Sequence, residues 1–556
     1  MATAALVSIL LLLVAHQLAE VLSDDEYPTI TLPQGTLKGR KFTPGNLSPY
    51  YSFLGIPYAK PPVGNLRFKA PVPAEPWNGT LEALQEGNVC KQIGTTGTAS
   101  LVGDEDCLFL NVYTPELPGS GSLRPVMVWI HGGGFLFGSG NKDGQGPEFL
   151  LNEGVVYVSI NYRLGIFGFL STEDEAAPGN AGLKDQVLAL RWVQQNIAAF
   201  GGDPNQVTIF GQSAGGTFVQ YHLLSPMSKG LFRSAIAHSG ATSCAWAVDR
   251  KPRENAFLIG DALGFTGESS QDLVNFLRNV SSDQLLSTSF VTINEEDKPR
   301  ITSMFHVRPS VEPVVAGEAA FITQDPLILM DEGNFHKVPF LTGVTLSEGL
   351  FQYTVAVLIS HRTWQEIDQD FPKVFKPELR ICRDESCGDA MIPKIKSFYF
   401  GDQHLNNNNV QNFVDLCTDM TFADGVLHGV KTMSSLSSAP VYFYQFSYDG
   451  GLVSPLPELA NLSRPTHGDD MGYIFDNGIQ VSDESLDAKV RSRMVTMWTN
   501  FVKTGNPTPE VTEEIPAWLP YTDKETNYLD IGAQLELKKD YHKRRMDFWD
   551  DLYSLK

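Results

Sequence analysis

Short apolar runs alternate with longer segments of helical periodicity in the first half of this chain. The short runs, rich in β-branched and aromatic residues, predict buried strands at 126–130, 155–162 and 207–210. Before the last of these runs, apolar residues recur at helical spacing: Leu183, Val187, Leu190, Val193 and Ile197. Strand, helix and strand in this order predict an α/β fold, with a mostly parallel sheet and crossover helices.

Two further strands and one amphipathic helix are predicted toward the C-terminus. The strands are expected at 338–344 and 441–446. The helix should end near Gly505, and we assign it to core packing because its apolar positions form one face. Those positions are Leu486, Val490, Met494, Met497 and Phe501.

A Gly-Gln-Ser-Ala-Gly sequence follows the strand predicted at 207–210 and precedes a helix-compatible segment. Gly-x-Ser-x-Gly between a strand and a helix is the pattern of a nucleophile elbow, with the serine at its apex. Gly211 and Gly215 would flank Ser213 because a Cβ there would collide with neighbouring backbone. Glycine and serine are also common in ordinary loops, so the placement makes the pattern informative.

Three consecutive glycines follow the strand predicted at 126–130, in the sequence His-Gly-Gly-Gly-Phe at 131–135. Such glycines let backbone N–H groups face a bound oxygen, and the Ala214 N–H would complete this oxyanion hole. A flexible connecting loop is the alternative, which the neighbouring Ser213 motif disfavours.

A serine nucleophile needs a base, and the base needs an orienting acid. Glu348 and His467 both lie in loops that follow predicted strands, where α/β sheets present their chemistry. The order serine, acid, histidine is that of α/β hydrolases. The chain has 11 histidines, so this pattern alone does not select His467.

Four sequence blocks match signatures of one enzyme family. Residues 200–213 match its serine signature, and residues 105–112 match its second signature except that Phe109 replaces the usual Tyr or Thr. Residues 51–59 and 62–68 are similar to its N-terminal block. By these motifs, from about residue 28 onward, the chain resembles the type-B carboxylesterases, which include cholinesterases, bile-salt-activated lipases and juvenile hormone esterases.

The resemblance implies an α/β-hydrolase fold with large loop insertions and cofactor-free, metal-free hydrolysis of carboxylic esters. The implied triad is Ser213 as nucleophile, Glu348 as acid and His467 as base. The implied oxyanion donors are Gly133, Gly134 and Ala214. One departure is Arg464, which stands three residues before the histidine where the family usually has glycine.

An apolar gorge is expected around the serine. The candidate pocket residues are Phe135, Leu136 and Trp246. Phe305 and Phe351 are further candidates, for which a core position is the favoured alternative. The segment between Cys90 and Cys107 contains no Trp, although cholinesterases place their choline-stacking Trp there. A quaternary ammonium would lack its main cation–π partner, so we expect small hydrophobic, uncharged esters as substrates.

The N-terminal residues resemble a targeting segment. The apolar run at 4–15 is too short to span a bilayer and resembles the core of a cleaved signal peptide. We predict a signal peptide at 1–23 and a single catalytic domain at 24–556, because a boundary inside that range would separate Ser213 from His467. Secretion without a stable membrane anchor is the expected localisation.

Net charge and the spacing of cysteine and histidine argue against nucleic acid and metal ions as partners. With 64 acidic and 42 basic residues, the net charge of −22 disfavours nucleic acid. Cysteine and histidine spacing does not match a zinc site, so we expect no metal. Composition leaves the oligomeric state open.

Six cysteines in a secreted chain indicate disulfides. The family resemblance implies a Cys90–Cys107 bridge, whereas the pairing of the other four cysteines stays open. Those four are Cys244, Cys382, Cys387 and Cys417. The candidate glycosylation sites are Asn78, Asn279 and Asn461.

Three functional alternatives accompany the general carboxylesterase hypothesis. Gln212 in the serine motif resembles juvenile hormone esterases, and an odorant- or pheromone-degrading esterase is also compatible with a signal peptide. A third alternative is a non-catalytic ligand-sequestering or adhesion-type binding protein. Such proteins typically lack a triad residue, and here all three candidates are present.

Overall fold

The computed structural model describes residues 26–554 except 46, 95–99, 120, 304–305, 382–387, 453–461 and 463–464. The strands are β1 Thr29–Leu32, β2 Gly35–Lys38, β3 Arg40–Phe42, β4 Tyr50–Pro57, β5 Thr80–Glu82, β6 Gln92–Ile93, β7 Leu101–Val102, β8 Phe109–Thr114, β9 Arg124–Ile130, β10 Val156–Ile160, β11 Gly202–Gln212, β12 Ser234–His238, β13 Phe340–Thr345, β14 Val441–Phe446, β15 Asn527–Ile531 and β16 Leu535–Lys539. The α-helices are Glu148–Asn152, Gly165–Phe169, Ala181–Asn196, Ala214–Leu224, Pro252–Ala262, Ser270–Asn279, Ser282–Val291, Pro326–Asp331, Leu350–Tyr353, Trp364–Gln369, Phe371–Phe375, Ile392–Phe400, Val410–Thr418, Asp424–Leu436, Leu486–Thr504 and Lys543–Tyr553.

An 11-stranded sheet carries the fold, in the order β16-β15-β14-β13-β12-β11-β9-β10-β8-β4-β3. Neighbouring strands from β15 to β10 pair in parallel. The pairings at both edges are antiparallel. Helix Ala181–Asn196 connects β10 to β11, and helix Ala214–Leu224 connects β11 to β12. The predicted mostly parallel sheet with crossover helices is therefore confirmed.

Apolar side chains cover both faces of this sheet. Along β9, Val126 and Val128 belong to one buried cluster and Met127 and Trp129 to another, as the alternation of side chains along a strand requires. The helix Leu486–Thr504 packs into the second cluster. It ends at Gly505, which adopts φ 78°, so the predicted C-terminal helix is confirmed. Its core role is confirmed for Val490, Met494, Met497 and Phe501, whereas Leu486, at its first position, is exposed.

The parallel register places the carboxyl ends of the central strands side by side. Ile130 at the end of β9 is opposite Gly211 of β11, and Gln212 is opposite His238 at the end of β12. The loops that follow these strands therefore leave the sheet at one edge, which is where the predicted catalytic residues lie in the sequence.

The predicted Cys90–Cys107 disulfide is confirmed, with an S–S distance of 2.05 Å. Cys244 and Cys417 are free buried thiols, and Cys382 and Cys387 lie outside the described residues. The predicted signal peptide, Asn461, Arg464 and Phe305 also lie outside them. Across the described ranges, no helix combines the length and apolarity needed to cross a membrane.

Candidate active site

Ser213 occupies the sharp turn between β11 and helix Ala214–Leu224. Its backbone has φ 61° and ψ −125°, a conformation rarely adopted by a residue with a side chain. The turn is held by two backbone hydrogen bonds: Ser213 N–H donates to His238 O at 2.8 Å, and Thr217 N–H donates to Ser213 O at 2.9 Å. This is the geometry expected of a nucleophile elbow.

The glycines flanking the serine are required by close backbone packing. A Cβ on Gly211 would lie 2.5 Å from the carbonyl carbon of Gly215, and one on Gly215 would lie 2.1 Å from Ile130 O. Both distances are far inside van der Waals contact, so the predicted steric role of these glycines is confirmed.

The glycine loop after β9 lies beside Ser213. Gly133 and Gly134 have positive φ values of 109° and 59°, and both line the same cavity as Ser213. A Cβ on Gly132 would lie 2.4 Å from Gln212 O, so this glycine permits the close approach of the loop to the elbow. Ala214 is buried and is the first residue of helix Ala214–Leu224, where backbone N–H groups lack intrahelical partners.

His467 and Glu348 form a buried hydrogen-bonded pair. His467 Nδ1 lies 2.6 Å from Glu348 Oε2, and the carboxylate is completely buried. The other carboxylate oxygen, Oε1, accepts hydrogen bonds from Ser239 Oγ at 2.5 Å and from Thr345 N at 2.6 Å. These donors hold the carboxylate in one orientation toward the imidazole. Ser239 was missed by the sequence reasoning, since no local signal marks it.

Gln212 contacts the opposite side of the same imidazole. Its Nε2 lies 3.2 Å from His467 Nε2, and both residues line the cavity with Ser213. Because His467 Nδ1 donates its proton to Glu348, Nε2 is the acceptor nitrogen and the Gln212 amide is the donor. The structure thus brings Ser213, Glu348 and His467, from three distant parts of the chain, to one site.

A buried network behind Ser213 supports the loop that carries His467. His238 Nδ1 lies 3.0 Å from Asp470 Oδ2, while Trp498 Nε1 donates to His238 Nε2 at 3.0 Å. The Tyr444 hydroxyl also donates to Asp470 Oδ2, at 2.7 Å. Asp470 follows His467 by three residues, so the network ties the histidine loop to β12.

His131, at the start of the glycine loop, is buried and uncharged. Burial lowers the pKa of its imidazole to about 4. Its Nδ1 lies 2.8 Å from Gly132 O, and its ring stacks on Tyr162 at a centroid distance of 4.2 Å. The residue therefore braces the loop without placing a charge beside the cavity.

The cavity beside Ser213 has a volume of about 140 Å³ and mainly aromatic walls. Those walls are formed by Phe137, Trp246, Phe351 and Phe422. Trp246 therefore lies in the wall of the cavity beside Ser213, as predicted from the sequence. Phe351 also lines the cavity, with its ring centroid 5.5 Å from that of His467, so the favoured core alternative for this residue was wrong.

Phe135 and Leu136 are not among the described residues that line this cavity, which corrects their assignment to the pocket. Phe135 is fully buried with φ 68°, and its ring packs against Phe169 and Phe218 behind the glycine loop. Leu136 is buried as well. The turn after Gly134 directs Phe137, two positions later than predicted, toward the cavity.

Phe422 was not predicted from the sequence. It lies in a π-helical segment, Asp419–Ala423, with its ring centroid 4.5 Å from that of His467 and 5.6 Å from that of Trp246. Thr421 O, in the same segment, accepts a hydrogen bond from Trp246 Nε1 at 2.6 Å. One wide helical turn therefore positions two walls of the cavity, and such turns are frequent at functional sites.

Two of the predicted glycosylation sites, Asn78 and Asn279, are exposed. Asn78 lies in the bend before β5, and Asn279 is the last residue of helix Ser270–Asn279. Glycosylation at both positions stays a prediction that their exposure allows.

Comparison with known proteins identifies the family. A sequence profile described as "Carboxylesterase family" matches residues 26–549. Esterase FE4 of Myzus persicae is 39% identical over 508 residues, which cover 89% of this chain and 86% of that protein. Juvenile hormone esterase of Tribolium castaneum is 37% identical over 512 residues, with 87% and 84% coverage. Carboxylesterase 1D of Rattus norvegicus is 35% identical over 547 residues, with 94% and 93% coverage.

The match covers nearly all described residues, and the family implies an α/β-hydrolase fold, with which the large mixed sheet and its helices are consistent. Ser213, His467, Gly133 and Gly134 line one cavity of that fold. The chain therefore belongs to the carboxylesterase family and is a carboxylic ester hydrolase.

Proposed function

We propose that the chain is a secreted serine carboxylesterase that hydrolyses uncharged hydrophobic esters through an acyl-enzyme on Ser213. One observation carries this proposal: Ser213 and His467 line the same cavity, and the His467 imidazole is hydrogen-bonded to the buried Glu348 at 2.6 Å. Nucleophile, base and orienting acid are the parts that serine acyl transfer needs.

In the first proposed step, Ser213 Oγ attacks the ester carbonyl carbon while its proton passes to His467 Nε2. Glu348 accepts the Nδ1–H bond and stabilises the imidazolium. The C–O bond to the alcohol then breaks, and the departing alcohol takes the proton from His467. Water repeats the sequence on the acyl-enzyme, which frees the carboxylic acid and restores the serine hydroxyl.

The negative charge that develops on the carbonyl oxygen needs preorganised donors. We assign this role to the backbone N–H groups of Gly133, Gly134 and Ala214. Gly133 and Gly134 border the cavity, and Ala214 opens a helix directly after the nucleophile. Removing one such donor costs about 3–4 kcal/mol of transition-state stabilisation in comparable hydrolases.

The cavity walls support uncharged substrates. Among the described residues that line the cavity, none is Asp, Glu, Lys or Arg, and four are aromatic. A charged acyl or alcohol group would lose its hydration there without a compensating partner. An uncharged ester would instead bury apolar surface against Trp246 and Phe422.

Secretion is supported by the disulfide as well as by the predicted signal peptide. Disulfides persist in oxidising compartments and are rare in the cytosol. The Cys90–Cys107 bridge is formed in the folded chain, and the net charge of −22 favours solubility.

Juvenile hormone esterase activity is a second candidate. The relative from Tribolium castaneum carries that name, and Gln212 gives this chain the Gly-Gln-Ser-Ala-Gly form of the serine motif. Relative turnover of juvenile hormone III and of short aryl or alkyl acetates distinguishes this activity from general carboxylesterase activity. A preference for volatile acetates would instead support an odorant- or pheromone-degrading role.

Labelling with a fluorophosphonate probe followed by peptide mapping tests the proposal. We expect the label on Ser213, and we expect Ser213→Ala to lose both labelling and ester turnover. Ser287→Ala, at an exposed serine, is the matched control and should retain both. A label on another residue, or turnover unchanged in Ser213→Ala, would contradict the proposal. Labelling without steady turnover would support a sequestering protein instead.

A further inference from the structure

Gln352 is a polar residue on the cavity wall that the proposed chemistry does not use. Among the described residues, the polar side chains lining the cavity are Gln212, Ser213, Gln352 and His467, apart from the indole N–H of Trp246. Ser213 and His467 are assigned to acyl transfer, and Gln212 donates to His467 Nε2. Gln352 is only 3% exposed, and its Oε1 is buried without a hydrogen-bond partner.

The neighbouring walls do not satisfy this amide oxygen. Phe351 and Phe422 present aromatic carbon, and Trp246 Nε1 already donates to Thr421 O at 2.6 Å. A buried acceptor left unpaired carries a free-energy cost. This cost is removed when a bound ligand supplies the missing hydrogen bond. Sites that recognise a substrate hydroxyl in this way discriminate against analogues without the hydroxyl, because the buried polar group of the protein then stays unpaired.

Gln352 is rigidly connected to the reaction centre. It lies four residues after Glu348, in the short helix Leu350–Tyr353. Phe351 N–H donates to Glu348 O at 3.1 Å, and Tyr353 N–H donates to Gly349 O at 3.1 Å. The same backbone turn therefore positions both the orienting acid and the Gln352 amide.

The size of the cavity limits how far a recognised group can lie from the ester. About 140 Å³ is close to the volume of the apolar cavity of about 150 Å³ that accommodates benzene in another protein. A substrate portion of roughly six heavy atoms fits such a space. A group that contacts Gln352 must therefore lie within a few bonds of the ester carbon.

We propose that Gln352 is a specificity-determining residue that hydrogen-bonds a hydroxyl group on a short ester. This inference rests on the proposed function and names the class of substrate: hydroxylated esters rather than their hydrocarbon counterparts. Because the terminal amide can rotate about its last side-chain torsion, either end can face the cavity: Oε1 accepts the hydroxyl proton, and Nε2 donates to the hydroxyl oxygen.

Two matched substrate pairs test the inference. Ethyl butyrate and ethyl 3-hydroxybutyrate place the hydroxyl on the acyl side, whereas propyl acetate and 3-hydroxypropyl acetate place it on the alcohol side. The readout is the ratio of kcat/KM for the hydroxylated ester to kcat/KM for its hydrocarbon counterpart. Because the same two esters are compared in each variant, their intrinsic reactivities cancel.

In Gln352→Met, which preserves length and volume, we expect this ratio to fall about tenfold for at least one pair. Gln352→Leu is the second variant, and fluorophosphonate labelling of Ser213 verifies that each variant has an assembled site. Gln403→Met, at an exposed glutamine, is the matched control and should leave the ratio unchanged.

A ratio that stays within twofold of wild type for both pairs in both labelled variants would overturn the inference while leaving the proposed function intact. Absence of Ser213 labelling and of turnover in the wild-type protein would instead refute the proposed function, and the inference with it.

Discussion

The side-chain amide of Gln212 lies 3.2 Å from His467 Nε2, the imidazole nitrogen opposite the one that contacts Glu348. The proposed base is thus flanked by a carboxylate on one side and a neutral amide on the other. A neutral neighbour adds no charge beside Nε2, whereas a carboxylate there would favour the imidazolium.

Gln212→Glu should therefore move the acidic limb of the kcat/KM profile to higher pH by about one unit, since only the neutral imidazole acts as base. Profiles measured between about pH 5 and about pH 9 check this expectation. Gln212→Met removes the amide without adding charge and should show no such displacement. Identical midpoints in the two variants would contradict the electrostatic role of this position.

Ser239→Ala removes one of the hydrogen bonds that orient Glu348. Its hydroxyl donates to Oε1 at 2.5 Å, and hydrogen bonds to charged groups contribute about 1.5–3 kcal/mol. We expect kcat to fall roughly tenfold or more with a smaller change in KM, because the imidazole loses orientation rather than substrate contact. Ser435→Ala, at an exposed helix serine, is the control. A change confined to KM would contradict the positioning role.

Gly133→Ala should disable oxyanion stabilisation. The added Cβ would lie 1.9 Å from Phe137 O on a backbone with φ 109°, so the loop must shift. Losing one oxyanion donor lowers kcat by about 10²–10³-fold. Gly119→Ala, where nothing lies within 4 Å of the added Cβ, provides the control. Steady-state kinetics should be accompanied by circular dichroism, and a kcat near that of wild type in a folded variant would rule out the assignment.

His131 should make folding stability dependent on pH on the acidic side. Its pKa is lowered to about 4 in the folded chain from an ordinary value of 6.5. Between these values the unfolded chain binds a proton that the folded chain does not, so the free energy of unfolding falls as pH drops through this window. Urea unfolding of His131→Asn should show a weaker decline than wild type. His404→Asn, at an exposed histidine, should retain the full decline.

The Cys90–Cys107 disulfide should contribute to stability by restricting the unfolded chain. The two cysteines are separated by 17 residues, and a loop of this length corresponds to about 3 kcal/mol. Replacing both cysteines with alanine should lower the urea midpoint of unfolding accordingly. Wild-type protein treated with a reductant should behave like the double variant, and equal midpoints with and without reductant would contradict this contribution.

Local sequence determined the elements that end at the active-site edge. The β-rich runs predicted strands close to β9, β11, β13 and β14, because buried parallel strands need continuous apolar residues. The glycines around Ser213 were also predictable, because the sharp turn leaves no space for side chains beside the serine. A Cβ on Gly215, for example, would lie 2.1 Å from Ile130 O on the neighbouring strand. These features depend on residues adjacent in the chain or on a neighbouring strand.

The sequence by itself therefore determined the sheet, the elbow and, through family motifs, the order of the catalytic residues. Only the tertiary structure decided that Ser239 supports Glu348, that Gln212 contacts His467, and that Phe137 rather than Phe135 lines the cavity. Hydrophobic periodicity records which residues are buried, but not which distant segments bury them. Contacts between segments hundreds of residues apart form only when the strands of the sheet align and bring their ends together. This alignment is a property of the folded chain, and no local sequence pattern encodes it.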